Sequence, residues 1–335
     1  MKGTILLITI VAALCLNSLM AQGSAFSHLI AFYNVENLFD NKADSIHHDY
    51  EFTPRGPRHW TQQRLDQKVH QFWHTVAAMG QTNADSLLAV EPSFPTLIGL
   101  AEVENSYVLR HLCQSSPLGR HYRWLHYESP DPRGVDCALL YHDQGFQPLA
   151  SCAIPVSDTS RDIHTRDILA VTGLLMPTAD TLCLYVCHLP SQLGGARADS
   201  LRHRIVLRLK YMLDSTARRH PSAFVAAMGD FNCGPRSHAM LPFVGDSLCR
   251  NLMLSLPRGE GSHKYRGHWE YLDQIVVRLT QAPWIVAHAG VFSHPQLLTA
   301  DRRYQGLKPF RTYNGTNYQG GPSDHLPVVL CIQHR

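Results

Sequence analysis

Apolar runs of strand length recur from residue 28 to the end of the chain, each bounded by polar or turn-forming residues. Their length and alternation predict β-strands over 28–34, 96–102, 136–141, 168–176, 181–188, 223–229, 271–278, 285–292 and 327–332. Two stretches follow the helical period instead. Leu65, Val69, Phe72, Val76 and Met79 share one face, and Leu201, Ile205, Leu209 and Met212 share another. Both stripes are read as core. Segments 40–58, 256–270 and 300–323 are rich in turn formers and predict long surface loops, which often carry functional sites. No repeat, low-complexity tract or linker divides the chain, so one large domain over 26–335 is the simplest organisation.

Residues 1–21 stand apart. Lys2 precedes an apolar run from Ile5 to Leu16 that is short for a membrane span, and small residues surround Ala21. This pattern predicts a cleaved signal peptide and an exported protein, periplasmic or secreted; an uncleaved anchor is the alternative. Leu14 before Cys15 speaks against lipidation. Export permits disulfides among Cys113, Cys137, Cys152, Cys183, Cys187, Cys233, Cys249 and Cys331. Cys183 and Cys187 lie about 13 Å apart on one strand and cannot bond each other. Buried free thiols are the expectation for most of the set. No C-x-x-C or finger spacing supports zinc.

Composition sharpens this picture only in part. The chain has 335 residues, 44% hydrophobic and 17% charged, enough for a large core and incompatible with a disordered chain. A net charge of +3 excludes a strongly basic nucleic-acid coat. The cations comprise 24 Arg and 6 Lys. Arginine's planar fork suits phosphate, although genomic base composition produces the same bias.

Candidate chemistry lies where the strands end. The first apolar run leads into Asn34 and Glu36, the second into Glu102, and the run over 181–187 into His188. Gly229-Asp230-Phe231-Asn232 closes another run, Asp273 interrupts an apolar stretch, and Asp324-His325 precede the last strand. Singly, each has a structural explanation as a turn former, a cap or a buried histidine. Together they suggest one cleft, because strand ends on one side of a sheet assembly converge. Carboxylates and carboxamides without cysteine favour hard cations. Histidines beside aspartates supply proton transfer and charge stabilisation. The combination points to metal-assisted phosphoester hydrolysis.

The motifs FYNVENLFD (32–40), GLAEVEN (99–105), RGVDCALLY (133–141), CHLPSQLGG (187–195), MGDFNCGP (228–235), YLDQIVV (271–277) and SDHLPVV (323–329) follow one another in order. With them the sequence resembles the endonuclease/exonuclease/phosphatase superfamily of DNase I-like fold, over roughly residues 28–335. The resemblance implies an α+β, four-layer αββα sandwich of two packed mixed β-sheets. It also implies a divalent-metal hydrolase using Mg²⁺, with Mn²⁺ or Ca²⁺ as alternatives. By matching positions, Glu102 is the central metal ligand, assisted by Asn34, with Asp324 near the metal. Asp230 orients or deprotonates water, Asn232 binds phosphate and His188 faces the scissile phosphate or leaving group. His325 contacts a phosphate oxygen or acts as acid/base, held by Asp273. The general base is Asp230 or His325.

The sequence departs from the family's pattern in two places. Glu36 stands where many members carry a shorter side chain, so it is either a metal neighbour or a supporting residue. Gln192 and Leu193 stand where relatives often place an arginine; Arg133 and Arg197 are the candidate replacements for that phosphate contact. In the predicted loops, Arg55, Arg58, Arg258, Lys264, Arg266, Arg302, Arg303 and Arg311 are interleaved with Tyr265, Trp269, Tyr304 and Tyr313. That mixture suits phosphates and bases and equally suits an ordinary solvated surface. The leading expectation is a nuclease-like phosphodiesterase acting as a monomer without a stable protein partner. The alternatives are a phosphatase or sphingomyelinase-like hydrolase, and a non-catalytic binding protein of the same fold.

Overall fold

The computed structural model describes residues 26–44, 47–85, 94–157 and 164–335; the proposed signal segment lies outside them. In chain order the elements begin with β1 (Ser27–Leu38), α1 (Gln62–Asp85), β2 (Leu97–Val103), α2 (Ser106–Gln114), β3 (Tyr122–His126) and β4 (Asp136–His142). There follow β5 (Phe146–Ile154), β6 (Ile168–Leu175), β7 (Asp180–His188), α3 (Gly195–Arg219), β8 (Phe224–Asp230) and β9 (Cys249–Asn251). A hairpin of β10 (His263–Tyr265) and β11 (His268–Glu270) precedes β12 (Asp273–Arg278) and β13 (Trp284–Val291). Two small hairpins, β14 (Leu298–Ala300) with β15 (Leu307–Pro309) and β16 (Tyr313–Asn314) with β17 (Asn317–Tyr318), lead to β18 (Val328–His334).

Two six-stranded sheets carry the fold, ordered β13-β18-β1-β2-β4-β3 and β5-β6-β7-β8-β12-β9. Both are mixed, since β1–β2 and β7–β8 pair in parallel and the remaining neighbours antiparallel. Side-chain alternation explains the layering. In β1, Leu29, Ala31 and Tyr33 face the core shared with Val69, Phe72 and Val76 of α1, while Ile30 and Phe32 face the second sheet. In β8, Phe224, Ala226 and Met228 turn toward the first sheet, while Val225 and Ala227 pack with Ile205, Leu209 and Leu213 of α3. Three buried layers of side chains thus lie within an αββα sandwich, the architecture expected from the motifs.

The nine expected strands and both helices are present with shifted ends. The expected long loops are more structured than their turn-rich composition suggested. Segment 40–58 contains a short helical turn at Tyr50–Phe52, and the Phe52 ring stacks on Phe39 at 4.1 Å in the core. Segment 256–270 holds one small hairpin, and the other two fall in 298–318, over nearly the same stretch as the expected loop 300–323. The cysteines of the described chain are free thiols, and six of the eight are buried. No helix among the described residues is long and apolar enough to cross a membrane.

One buried group couples this core to pH. His28, at the start of β1, bonds Thr96 Oγ1 through Nδ1 at 2.8 Å, while its Nε2 is buried without a partner. Burial, only partly offset by Asp180, holds its pKa down at about 4. The unfolded chain takes up this proton near pH 6.5, whereas the folded chain resists until about pH 4. Its contribution is therefore full above pH 6.5 and declines as pH falls toward 4, by on the order of 2–3 kcal/mol. Urea unfolding at pH 7 and pH 4.5 checks this: His28→Leu is expected to show a smaller loss of stability between the two than the wild-type chain.

Candidate active site

The sheets deliver their polar strand ends to one place through register. β7 and β8 are parallel with His188 opposite Asp230, and antiparallel β12 sets Asp273 opposite Asp230 on the other side. The close approach of β7 and β8 requires Gly229, where a Cβ would sit 2.1 Å from Cys187 O. From the facing sheet, Asn34 Nδ2 donates to Asp230 Oδ2 at 3.0 Å, bridging the two sheets.

Local irregularities then aim the side chains. The β1–β2 register shifts between Asn34 and Leu38, and the β2–β4 register shifts between Ala101 and Val103. Glu102 sits within that second shift at φ 65°, a left-handed conformation uncommon for a non-glycine residue. Its Oε2 accepts the Asn37 N–H at 2.9 Å, and its Oε1 lies 3.9 Å from His188 Nε2. Asn232 is left-handed too, at φ 50°; its N–H donates to Asp230 Oδ1 at 2.8 Å and its Nδ2 to Leu189 O. Such strain at clustered polar residues is characteristic of functional sites.

His325 completes the cluster from the turn before β18. Ser323 Oγ donates to Asn34 O at 2.7 Å and accepts the His325 N–H at 3.0 Å, pinning that turn to β1 at Asn34. The His325 ring bonds Asp273 Oδ2 through Nδ1 at 2.6 Å. Its Nε2 points into the cleft, 3.9 Å from Asp230 Oδ2 and 4.0 Å from Asp324 Oδ1. Burial disfavours the imidazolium, but the carboxylates of Asp273, Asp230 and Asp324 outweigh it and raise the pKa well above the usual histidine value. His188 is the opposite case. Burial, reinforced by Arg166, Arg133 and His325, pushes its pKa well below normal and keeps it neutral. Its Nε2 is 3.6 Å from Asp230 Oδ2. Burial and Asp273 together raise Asp230 to about 7. The site thus holds one cationic and one neutral imidazole, each within 4 Å of the same carboxylate oxygen.

The sequence profile of the endonuclease/exonuclease/phosphatase family matches residues 29–334. The chain belongs to this family. No curated protein sequence matches it. Among solved structures it resembles an endonuclease/exonuclease/phosphatase family protein from Bacteroides thetaiotaomicron, with TM-score 0.58, 15% identity, and coverage of 93% of this chain and 99% of that one. It resembles a mannosyl-6-phosphatase of the same organism at TM-score 0.57 and 15% identity, covering 90% and 98%. It also resembles D. rerio TDP2 complexed with single-strand DNA product at TM-score 0.56 and 15% identity, covering 91% and 98%. At these identities the likeness establishes the fold.

In this family member, Asn34, Glu102, His188, Asp230, Asn232, Asp273 and His325 converge. Asp324 lies at the margin, where Arg311 bonds its Oδ2 at 2.6 Å. Glu36 is buried behind Arg311, with Oε1 3.9 Å from the Arg311 Nε. Its carboxylate accepts Thr312 N–H at 2.6 Å and Tyr313 N–H at 3.3 Å, fixing the loop that presents Arg311. Arg133 is half exposed beside Asp131, at 3.4 Å, and acts on His188 through its charge. Arg197 lies exposed in the first turn of α3. Gln192 and Leu193, at the position of the absent arginine, are exposed.

Arg166, Lys68 and His263 were not among the expected site residues. Arg166 is buried, bonds Asp131 Oδ2 at 2.9 Å and Leu189 O at 2.7 Å, and supports the turn after His188. Lys68, on α1, bonds Thr312 Oγ1 and Pro322 O. His263 pairs with His325 across an isolated bridge, with ring centroids 4.8 Å apart. Lys68 falls at helical spacing between Leu65 and Phe72, a cation inside an apolar stripe, and that is a readable signal; the other two carry none.

Proposed function

We propose that the chain is a divalent-metal-dependent hydrolase of phosphodiester bonds, acting outside the cytoplasm. The observation that carries this reading is the Asp273–His325 pair presenting its free Nε2 to Asp230, with neutral His188 on the other side. The donor set fits a hard cation: Glu102 leaves Oε1 without a hydrogen-bond donor, Asp324 leaves Oδ1 outside the Arg311 contact, and Asn34 Oδ1, which accepts the Glu36 N–H at 3.0 Å, keeps its second lone pair. Nearby thiols do not compete, because burial raises Cys187 well above 9 and Cys233 to about 11. Glu102, with Asn34 and Asp324, would hold Mg²⁺, Mn²⁺ or Ca²⁺. Such an ion supplies neutralisation of charge on a phosphoryl oxygen.

The chain's own groups account for the remaining chemistry. Asp230, oriented by Asn34 Nδ2 and the Asn232 N–H, positions a water molecule and accepts its proton. His325, kept cationic by Asp273, donates from Nε2 to a phosphoryl oxygen as negative charge grows there. Neutral His188 offers an Nε2–H toward the scissile phosphate or leaving group. Arg166 and Arg202 bond Leu189 O and Pro190 O and so hold the backbone that follows His188.

One observation favours a second reading, hydrolysis of small phosphoesters. A cavity of about 670 Å³ adjoins the site at His263, Arg311 and Asp324, a volume suited to a small ligand. A substrate panel separates the two. Plasmid DNA, an oligonucleotide, bis-p-nitrophenyl phosphate, p-nitrophenyl phosphate, sphingomyelin and inositol phosphates are each assayed with Mg²⁺, with Mn²⁺ and with EDTA. Turnover of diesters above monoesters, lost in EDTA, is the expected result. Monoester preference supports the small-phosphoester reading, and turnover that persists in EDTA overturns the metal mechanism.

A further inference from the structure

The cavity beside His325 is built by two hairpins that the reaction does not use. The β10–β11 hairpin turns through Arg266 and Gly267, at φ 48° and 86°, and the β14–β15 hairpin turns back through Gln305 and Gly306, at φ 63° and 70°. Their tips touch: a Cβ on Gly267 would lie 3.0 Å from Tyr304 Cβ. Lys264 ties them together, with Nζ on Gln305 O at 2.9 Å, Leu307 O at 3.1 Å and Asp301 Oδ2 at 3.1 Å. At the other end, His263 packs on the His325 ring, and Arg311 bonds Asp324.

The charges of this lining do not balance. It holds Lys264, Arg266, Arg303, Lys308 and Arg311 against Asp301 and Asp324. Both acids are already paired, Asp301 with Lys264 and Asp324 with Arg311. Arg266, Arg303 and Lys308 have no carboxylate within ion-pair distance among the described residues. Arg266 and Arg303 instead stack on Tyr265 and Tyr304, at 5.2 and 5.3 Å from the ring centroids, and both tyrosines are exposed. Three cations held around one cavity repel each other, and an anion relieves that repulsion. Guanidinium groups and aromatic faces at the same mouth fit a phosphate attached to a flat ring.

We propose that this cavity binds a second phosphate of the substrate, so that the preferred substrates carry at least two phosphates. This rests on the phosphoesterase reading above. Arg266, Arg303 and Lys308 then hold the non-reacting phosphate, while Tyr265 and Tyr304 flank the group that links it to the scissile one. An oligonucleotide and a small bisphosphate both have this chemistry.

The test uses the Arg266→Ala/Arg303→Ala/Lys308→Ala triple variant and two readouts. The first, binding of inorganic pyrophosphate to metal-free protein by isothermal titration calorimetry, needs no turnover. Wild-type protein is expected to bind in a salt-dependent way, and the variant about 10-fold or more weaker. The second is the kcat/KM ratio of a 5′-phosphorylated thymidine dinucleotide over bis-p-nitrophenyl phosphate, expected to fall about 10-fold or more in the variant, through KM. Longer thymidine oligomers and a hexose bisphosphate identify the source: a ratio that rises with chain length indicates nucleic acid, and one that saturates at two phosphates indicates a small ligand. Equal pyrophosphate binding by both proteins, or an unchanged ratio, overturns the proposal. Pyrophosphate binding that depends on the three cations in a protein that hydrolyses no phosphoester upholds the cavity and overturns the hydrolase reading instead.

Discussion

His325→Ala protein is expected to turn over bis-p-nitrophenyl phosphate roughly 10²–10⁴-fold more slowly than wild type, with the loss in kcat. The size follows from what the side chain does in this site. Nε2 is held toward the cleft by the 2.6 Å Nδ1–Asp273 bond, and three carboxylates keep the ring cationic. Its contribution therefore grows as negative charge develops on the phosphoryl group, which places the loss in kcat and not in KM. The substitution has a second consequence. Asp273 is fully buried, its Oδ1 already has no partner, and without His325 its Oδ2 loses one as well. A drop in stability on the order of 3–5 kcal/mol accompanies the kinetic loss. Steady-state kinetics below the variant's unfolding transition separates the two effects, and His325→Gln provides a milder comparison. A variant with wild-type kcat would remove His325 from the reaction.

Glu102→Gln protein is expected to lose most of its metal-stimulated activity, about 10²-fold or more, with a matching loss of Mn²⁺ affinity in calorimetric titration. The substitution keeps the shape of the side chain and one acceptor for the Asn37 N–H, so the left-handed backbone at this position is preserved. What disappears is the negative charge offered at Oε1. Glu102 lies on the cleft surface and is not the sole partner of any buried charge, so the thermal transition is expected to stay within a few degrees of wild type. Unchanged Mn²⁺ binding would place the cation elsewhere, for instance among Asp230, Asp273 and His325, which bring ligand atoms within 4.8 Å of one another.

Much of this site is legible in the sequence because strands obey a two-residue period. Once Ile30 and Phe32 belong to an apolar run, its polar continuation at Asn34 reads as a strand end, and the same reasoning places His188 and Asp230; β1 runs on to Leu38, but its regular ladder with β2 breaks after Asn34. Parallel register between β7 and β8 then brings His188 opposite Asp230 without further information. What periodicity does not carry is direction after the strand ends. The left-handed turn at Glu102, which aims the carboxylate, leaves no mark on hydropathy. Glu36 follows two residues after Asn34 and reads as part of the same cluster, yet a register shift in β1 sends it toward Thr312 and Tyr313. The small hairpins escape a sequence reading for a related reason. Two or three residues per strand are too few to establish a period, so turn chemistry alone dominates segments 256–270 and 300–323. The acidic residues also look alike in sequence, whereas the structure gives Asp273 to His325 and only Oδ2 of Asp324 to Arg311, leaving Glu102, Asp230 and Asp324 Oδ1 to face the cleft.

The central claim is that a cation held at Glu102 and the His325–Asp273–Asp230 group together hydrolyse a phosphoester. Its most direct test is the initial rate of bis-p-nitrophenyl phosphate hydrolysis by wild-type and Glu102→Gln proteins across a Mn²⁺ titration that begins from metal-free protein. Wild-type protein is expected to be inactive without metal and to show a saturable rise on adding Mn²⁺, with a rate about 10²-fold lower in Glu102→Gln at every concentration. Wild-type activity that is full before any metal is added, or a Glu102→Gln curve that overlies the wild-type one, would contradict it.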